Sequence, residues 1–233
     1  MINSPISSLQ IENVMFGGAI PPEQLPARVK AVFPKAVLSQ AYGLTETNST
    51  AVSVAGEDYD ARPTSTRGPD VMKSYWREPA ATSKALTQDG WFKSGDLGVM
   101  DEEGFIYIRD RIKDLIIRGG ENIDSSTVEN ALYNDTRIDA AAAVGVPDDR
   151  LGELVAAVVS IKPAYHGKVK ESEVVEITRK TLPKFAVPVL VIVQDAPFAM
   201  TPSGKIMKAP LRELAKAEWE RRKGSSPSPA SHL

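Results

Sequence analysis

The chain has 233 residues, of which 42% are hydrophobic and 25% charged, and its net charge at pH 7 is −2. This balance gives no reason to expect binding to nucleic acid or to an anionic membrane. The sequence contains no cysteine and only two histidines, which excludes disulfides, thiolate catalysis and cysteine-ligated zinc and argues against a histidine-based metal site. Any catalysis must therefore rest on carboxylates, lysines, arginines, hydroxyls and backbone groups.

The first elements along the chain are a strand, a helix and a second strand. The first predicted strand, residues 9–14, is followed by Gly17, Gly18 and Ala19. Two glycines after a strand let the backbone approach a flat ligand closely, although such a pair is more often just a turn. A helix is predicted over residues 21–33 and a strand over 36–40. The predicted inner face of this helix consists of Leu25, Val29 and Val32.

The segment that follows combines three kinds of functional group within five residues. It offers an aromatic ring at Tyr42, a hydroxyl at Thr45 and a carboxylate at Glu46. These groups suit a nucleotide, because a ring stacks on the base, a hydroxyl contacts phosphate and a carboxylate holds Mg²⁺. From these residues alone, a polar loop with a buried tyrosine is an equal alternative.

The middle of the chain predicts a helix, a hairpin and a hinge. The helix covers residues 78–86, and the hairpin covers 97–108. Asp96 ends a Ser-Gly-Asp turn, where its carboxylate either accepts hydrogen bonds from a diol such as ribose or simply caps the turn. The segment 110–123 begins as a charged turn and ends on a glycine pair, which suggests two bodies moving against each other over a shared site.

The remaining sequence alternates between helices and strands, and this predicts a compact α+β domain. A Ser/Pro-rich segment, residues 224–230, is predicted to be disordered. A capping box at 126–129 opens a predicted helix to 134, and strands at 139–146 and 154–161 are predicted to pair across a turn. A helix at 172–182, capped by Ser172, a strand at 187–193 and a loop at 200–205 follow. The last predicted helix covers 209–222, with Leu211, Leu214 and Ala215 on one face.

Four motifs, taken together in their order along the chain, resemble those of the adenylate-forming superfamily. This superfamily includes acyl-CoA synthetases, luciferases and peptide-synthetase adenylation domains. Each motif is modest alone, but the ordered set is specific and covers residues 9–222. The motifs are Tyr42-Gly-Leu-Thr-Glu46, Gly90-Trp-Phe92 with Ser94-Gly-Asp96, Asp110-Arg-Ile-Lys-Asp114 with Gly119-Gly-Glu-Asn-Ile123, and Pro202-Ser-Gly-Lys205.

The resemblance implies a fold of mixed α/β and α+β class. Residues 1–109 would be the C-terminal part of the large AMP-binding domain, residues 110–222 a complete and mobile small domain, and residues 223–233 a disordered tail. The implied activity is that of an acid–thiol ligase acting on a carboxylic acid, and specifically a fatty acid, with ATP, Mg²⁺ and CoA. The acid attacks the α-phosphate of ATP to give acyl-AMP and pyrophosphate, the small domain rotates, and the CoA thiol attacks the acyl-AMP.

The resemblance also assigns roles to individual residues. On their chemistry alone, Lys113 and Lys205 would be solvated surface side chains, the usual state of a lysine. In the family's arrangement, a lysine charge beside the α-phosphate stabilises the charge that develops there. Gly17, Gly18 and Ala19 would line the adenine and acyl pocket, Tyr42 and Gly43 would lie against adenine, Thr45 would contact phosphate, Glu46 would hold Mg²⁺, Asp96 and Arg111 would bind ribose, Lys113 would be the hinge, Gly119 and Gly120 would lie beside CoA, and Lys205 would bridge the acyl carboxylate and the α-phosphate.

The sequence departs from the family's pattern in three ways. The Ser/Thr/Gly-rich phosphate loop expected before residue 9 is absent, and no Gly-x-x-x-x-Gly-Lys-Ser/Thr loop replaces it. The segment 62–66 joins 67–70 directly, where relatives have a stretch of small β-barrel, and we interpret the join as a skipped exon or a faulty gene model. Ala41, Ser125 and Thr127 stand where relatives usually carry Gly, Pro and Glu.

These departures predict weak or absent activity for the chain by itself. Residues 1–109 are expected to have open sheet edges and uncovered apolar faces. The small domain is expected to fold alone. Two other functions remain open at this point: a non-catalytic fragment that binds a partner or CoA, and a piece of a peptide-synthetase adenylation domain. No carrier-protein serine motif follows Lys205, which argues against the second.

The two ends of the chain bear on location. No apolar run is long enough to span a bilayer, and the N-terminus lacks the basic region and apolar core of a secretory signal. The last three residues, Ser231-His232-Leu233, are a variant of the Ser-Lys-Leu peroxisomal address. They predict recognition by the peroxisomal import receptor, and the alternative is a chance tripeptide on a cytoplasmic protein.

Overall fold

The computed structural model describes residues 11–18, 20–22, 24–48, 52–55, 69–102 and 106–225. The chain divides into two compact units, Met1–Ile112 and Lys113–Leu233. The boundary predicted from sequence, between residues 109 and 110, lies three residues before this division.

The first unit contains a three-stranded sheet. Its strands are β1 (Asn13–Gly17), β2 (Val37–Tyr42) and β3 (Val52–Ala55), in the order β1-β2-β3. Strands β1 and β2 are parallel, with helix α1 (Leu25–Val32) between them in sequence, and β3 is antiparallel to β2. Because Gly17 pairs with Ala41, β1 and β2 both end at the same edge of the sheet. Parallel strands commonly bind ligands beyond their carboxyl ends.

The predicted hairpin is confirmed and is longer than expected. Helix α2 (Pro79–Ala85) precedes it, and strands β4 (Asp96–Met100) and β5 (Ile106–Arg111) pair antiparallel. The register places Asp96 directly opposite Arg111. The hairpin therefore brings together two residues that the motifs assign to one ribose site.

The helices of the first unit bury little of their surface. Neither α1 nor α2 contains a buried residue, and Val32 is 51% exposed, so the predicted inner face of α1 is wrong at this position. Trp76 and Met15 are also exposed, at 84% and 67%. These three apolar side chains are exposed within the described residues of the first unit, and the wider prediction of uncovered apolar faces over residues 1–109 stays a prediction.

The second unit is a five-stranded sheet with helices. Strand β9 pairs antiparallel with β8 and parallel with β10, and its first residue pairs with the end of β6, which forms a short hairpin with β7. The elements are β6 (Ile116–Arg118), β7 (Glu121–Ile123), α3 (Ser125–Leu132), β8 (Ile138–Asp148), β9 (Gly152–Ile161), α4 (Glu171–Arg179), β10 (Leu190–Gln194) and α5 (Lys208–Ser225).

Helices cover both faces of this sheet. On one face Ala141 and Ala143 of β8 belong to a core cluster with Val128 of α3. On the other face Ala142 belongs to a second cluster with Leu211 of α5. A strand buried on both sides needs apolar residues at every position, and this explains the continuous apolar runs in β8 and β9.

Three local predictions for the second unit are wrong. Helix α3 starts at Ser125 with Asp124 as N-cap, so there is no capping box at 126–129. The Glu129 carboxylate instead accepts the Ala143 N–H and pairs with a lysine of α5, because a charged partner is available there. Helix α4 starts before Ser172. Leu214, predicted to face inward, is 42% exposed.

The last helix runs to Ser225, so residues 223–225, which the sequence assigned to the tail, are helical. Of the helices in the described ranges, none has the length and apolar character that crossing a bilayer requires.

We expect residues 113–225, expressed alone, to unfold in a single cooperative transition in urea, monitored by circular dichroism. Both core clusters consist only of residues from this unit, so isolation removes none of their contacts. As a control, residues 11–112 alone should show no cooperative transition. Limited proteolysis of the whole chain should leave a fragment that begins near residue 113, and its absence would contradict the prediction.

Candidate nucleotide-binding site

Three of the predicted nucleotide-binding residues meet in the first unit. The Tyr42 hydroxyl donates to Asp96 Oδ2 at 2.6 Å, and Arg111 Nε lies 3.2 Å from Asp96 Oδ1. The Asp96 side chain is only 6% exposed, so these two partners take the place of water around its carboxylate. Tyr42 ends β2, whereas Asp96 and Arg111 are opposite each other in the β4–β5 hairpin.

The Asp96 carboxylate does not merely cap its own turn. The backbone N–H of Asp96 donates to Ser94 Oγ at 3.1 Å, and Gly95 adopts a φ of 77°, so the turn is closed by the serine. The carboxylate faces Tyr42 and Arg111 instead. A carboxylate has about four acceptor positions, so one partner on each oxygen leaves capacity for the two hydroxyl donors of a diol.

A second contact holds Glu46. This residue lies in a 3-10 turn, Thr45–Thr47, directly after β2. Its Oε1 accepts the Tyr75 hydroxyl at 2.8 Å, and its carbonyl accepts the Met72 N–H at 2.7 Å. The hydrogen bond to Glu46 raises the pKa of Tyr75. Tyr75 was not predicted, because no local pattern connects residues 29 positions apart.

A single oriented carboxylate fits a magnesium ion bound to phosphate. Mg²⁺ in such sites typically takes one or two carboxylates and completes its shell with phosphate oxygens and water. Within the described parts of the chain, no group of three or more His, Cys, Asp or Glu residues could hold a metal ion by itself. Thr45, the predicted phosphate contact, is exposed beside Glu46.

The glycine pair after β1 lies at the sheet edge where β2 ends. A Cβ on Gly17 would lie 3.2 Å from the Ala41 carbonyl oxygen, so the two backbones approach closely there. Gly18 has a φ of 79°, which favours glycine. The sheet therefore places Gly17 beside Ala41, the residue before Tyr42. Ala19 and the terminal tripeptide 231–233 lie outside the described residues.

The predicted hinge residue lies in a short 3-10 turn, Ile112–Asp114. Arg212 Nη2 pairs with Asp114 Oδ1 at 3.0 Å and makes a longer contact of 3.5 Å to the Lys113 carbonyl oxygen. The side of the hinge that belongs to the second unit is thus tied to helix α5.

The Gly119–Gly120 pair forms the turn between β6 and β7. Both residues have positive φ, 59° and 91°, and a Cβ on Gly119 would come within 2.9 Å of a Leu151 methyl carbon. The Gly119 N–H donates to the Leu151 carbonyl at 2.8 Å. Glu153 Oε2 accepts the Ile117 N–H at 2.9 Å, so β9 and the residue before it fix this turn from two sides.

The segment carrying Lys205 is a closed turn, not an irregular loop. The Thr201 N–H donates to the Lys205 carbonyl at 2.8 Å, and the Lys205 N–H donates to Thr201 Oγ1 at 3.1 Å. The Gly204 N–H donates to the Thr201 carbonyl at 2.9 Å. Thr201 was not predicted, although a hydroxyl four residues before the lysine is a recognisable turn signal. Its bonds fix the backbone of Lys205.

Comparison with known proteins places this geometry in a family. Residues 127–205 match the model of the AMP-binding enzyme C-terminal domain. The O-succinylbenzoate coenzyme A synthetase of Bacillus subtilis, solved with ATP and a magnesium ion, superposes with a TM-score of 0.73 at 27% identity, over 90% of this chain and 48% of that one. The chain belongs to the adenylate-forming enzyme family.

Relatives within this family are named as acyl-activating enzymes and CoA ligases. The 2-methylpropanoate–CoA ligase of Humulus lupulus is 42% identical over 70% of this chain and 29% of its own length. Probable acyl-activating enzyme 10 of Arabidopsis thaliana is 34% identical over 93% of this chain and 48% of its own. Probable acyl-activating enzyme 5, peroxisomal, of the same plant is 34% identical over 88% and 44%. The chain thus spans less than half of the length of these relatives.

The longer alignments contain an internal gap in this chain. The match to acyl-activating enzyme 10 extends over 265 residues but takes in 93% of 233 residues, which is about 217. About 48 residues of the relative therefore have no counterpart here. The join inferred from the sequence, at residues 62–67, lies outside the described residues.

We expect Tyr42 to be a late-titrating tyrosine. Burial, and then the hydrogen bond to Asp96, raise its pKa to about 12, so the folded state keeps this proton above the ordinary value of about 10. The stability contributed by the contact is therefore complete below pH 10 and is lost as the pH rises towards 12. Ultraviolet absorbance of tyrosinate measures the titration.

In Asp96→Asn the Tyr42 transition should move towards pH 10, and in Tyr42→Phe it should disappear from the difference spectrum. Identical titration curves for the wild-type chain and Tyr42→Phe would contradict the assignment.

Proposed function

We propose that this chain is the C-terminal portion of an acyl-CoA synthetase, which joins a carboxylic acid to CoA through an acyl-AMP intermediate. The buried Asp96 carboxylate, held between Tyr42 and Arg111, carries the proposal, because it presents acceptors for the ribose of a nucleotide at the edge of a parallel strand pair. ATP, Mg²⁺ and CoA are the implied cosubstrates and ion. Fatty acids are the proposed substrate class.

Asp96 accepts the two ribose hydroxyls and fixes the sugar. Arg111 and Tyr42 hold the carboxylate in place, so binding requires no rearrangement of a charged group. The Tyr42 ring lies against the adenine, beside Gly43. The absence of side chains at Gly17 and Gly18 lets the adenine and the acyl group approach the backbone of the same edge.

Thr45 and Glu46 serve the phosphates. Glu46, oriented by Tyr75, would hold the magnesium ion, which when bound neutralises phosphate charge. The Thr45 hydroxyl donates to a phosphate oxygen. Lys205 places an ammonium group between the acyl carboxylate and the α-phosphate, where negative charge develops as the carboxylate attacks. The hydrogen bond from the Lys205 N–H to Thr201 Oγ1 fixes the backbone from which the ammonium group extends.

The second unit, which begins at Lys113, serves both half-reactions as the mobile domain by rotating about that residue, so Arg111 stays with Asp96. Because Lys205 is mounted on a closed turn, rotation of the unit removes it from the α-phosphate, with no need for the loop to unfold. The Gly119–Gly120 turn then lies beside the CoA arm, where the absence of side chains leaves room for the thiol to approach the acyl-AMP.

The 233-residue chain by itself is expected to form acyl-AMP weakly. It contains no glycine-rich loop to hold the β- and γ-phosphates of ATP, and about 48 residues of the relative are missing from its interior. Its proposed nucleotide-binding residues, by contrast, come from both sides of the inferred join: Tyr42 and Glu46 precede it, and Asp96 and Arg111 follow it.

We expect the chain to bind an acyl-sulfamoyl adenosine, a stable mimic of acyl-AMP, with a dissociation constant that isothermal titration calorimetry can measure. Asp96→Asn should weaken this binding by about ten- to a hundredfold, because it removes charge-assisted hydrogen bonds to ribose. Asp70→Asn, at an exposed aspartate, is the matched control and should leave the affinity unchanged. Equal affinity of all three proteins would count against the site.

Catalysis separates the proposed enzyme from a non-catalytic fragment. When the chain is supplied with preformed acyl-AMP and CoA, acyl-CoA should form without any need for the β- and γ-phosphates, whereas pyrophosphate exchange with ATP and a panel of fatty acids should be weak. Binding without any acyl-CoA formation would favour the non-catalytic fragment. Robust pyrophosphate exchange would show that the missing loop is not required.

The proposed location is the peroxisome, through recognition of Ser231-His232-Leu233 by the import receptor. One relative at 34% identity is named as peroxisomal, which supports the proposal. A fluorescent protein carrying residues 224–233 at its C-terminus should accumulate in peroxisomes. The same fusion with His232→Glu should remain in the cytosol, because an acidic residue then replaces the basic middle residue of the Ser-Lys-Leu address. Cytosolic fluorescence of both fusions would contradict targeting.

A further inference from the structure

Lys208 connects three elements of the second unit. Its Nζ lies 2.6 Å from Ser125 Oγ and 2.7 Å from Glu129 Oε1, both on helix α3. Glu129 Oε1 also accepts the Ala143 N–H of β8 at 2.9 Å. The Ser125 residue is fully buried, and the side chains of Lys208 and Glu129 are 19% and 18% exposed. Such a shielded, doubly bonded ammonium holds its position more firmly than a surface ion pair.

This cluster lies at the base of the turn that carries Lys205. Helix α5 begins at Lys208, three residues after Lys205. The turn closes immediately before the helix, where the Met207 N–H donates to the Ala199 carbonyl at 3.0 Å and Met200 pairs with Ile206. The chain from residue 199 to 207 is thus a closed hairpin, and its C-terminal end continues directly into the anchored residue.

We propose that Lys208 is a positioning residue that anchors the hairpin carrying Lys205 to α3 and β8 through Ser125 and Glu129. The internal bonds of the hairpin fix its shape, but they do not fix where it lies relative to the sheet. Ile206 of the hairpin packs against the second core cluster, and Lys208 adds a polar constraint on where the hairpin lies, so Lys205 moves with the whole unit. The inference deepens the proposed function, because it rests on the role proposed there for Lys205.

Hydrogen exchange of the intact 233-residue chain, followed by mass spectrometry, tests the anchor without requiring catalysis. In Lys208→Met the amides of residues 199–207 should exchange about tenfold faster, because the hairpin loses both bonds to α3. Lys208→Arg should restore wild-type exchange, since a guanidinium can donate to the same two oxygens. Lys216→Met, at an exposed lysine of the same helix, is the control and should change nothing.

A second measurement reports on Lys205 itself. The rate at which a small acetylating reagent modifies Lys205 should change in Lys208→Met and return to the wild-type value in Lys208→Arg. A general loss of stability would accelerate exchange in β8 and β9 as well, so rescue of the Lys205 rate with constant exchange in these strands identifies a local anchor. Unchanged exchange of residues 199–207 in Lys208→Met, or equal acceleration throughout β8 and β9, would overturn the proposal.

If Lys208→Met does not fold, Ser125→Ala provides the decisive comparison, because it removes one of the two bonds and leaves the ion pair intact. It should accelerate exchange of residues 199–207 by about threefold, and no acceleration would overturn the anchor. These outcomes are independent of the proposed function. Failure of the chain to bind the acyl-AMP mimic would contradict the proposed function. The hydrogen-exchange data test the Lys208 anchor independently of that result.

Discussion

The proposed nucleotide site depends on one almost buried carboxylate. Asp96 is shielded from water, and an unpaired carboxylate in such a place would cost several kcal/mol, on the order estimated for isolated buried ions. Tyr42 and Arg111 offset that cost by bonding one oxygen each. The pairing ties the end of β2 to the β4–β5 hairpin, so the group that would bind a ribose also joins the two sheets of the first unit.

The two units differ in how completely they bury their apolar surface. In the second unit, both faces of the sheet are covered, and alternate residues of β8 and β9 belong to separate clusters. In the first unit, α1 and α2 bury no residue, and Trp76 is 84% exposed. The second unit can therefore act as a rigid body that carries Lys205 and the Gly119–Gly120 turn, whereas the first retains binding groups on a scaffold with little core.

Much of the fold could be predicted because its causes are local. The apolar runs of β8 and β9, the alternation in the β4–β5 hairpin and the glycines of the β6–β7 turn are visible in short windows of sequence. Predictions failed where a distant partner decided the outcome. The spacing of Glu129 fits a capping box, but its carboxylate forms an ion pair with Lys208, which lies 79 residues away in sequence. Leu214 suits an inner face, yet the packing of α5 leaves it exposed.

The sequence by itself determined the family, the order of the motifs and the identity of the candidate binding residues, because these depend on residue type and spacing. Only the tertiary structure decided how those residues are supported. Tyr75 against Glu46 and Ser125 against Lys208 are contacts between side chains whose separation in sequence, 29 and 83 residues, carries no periodic signal. Hydrogen bonds act over about 3 Å in space, so the folded backbone must bring the partners together before such contacts exist.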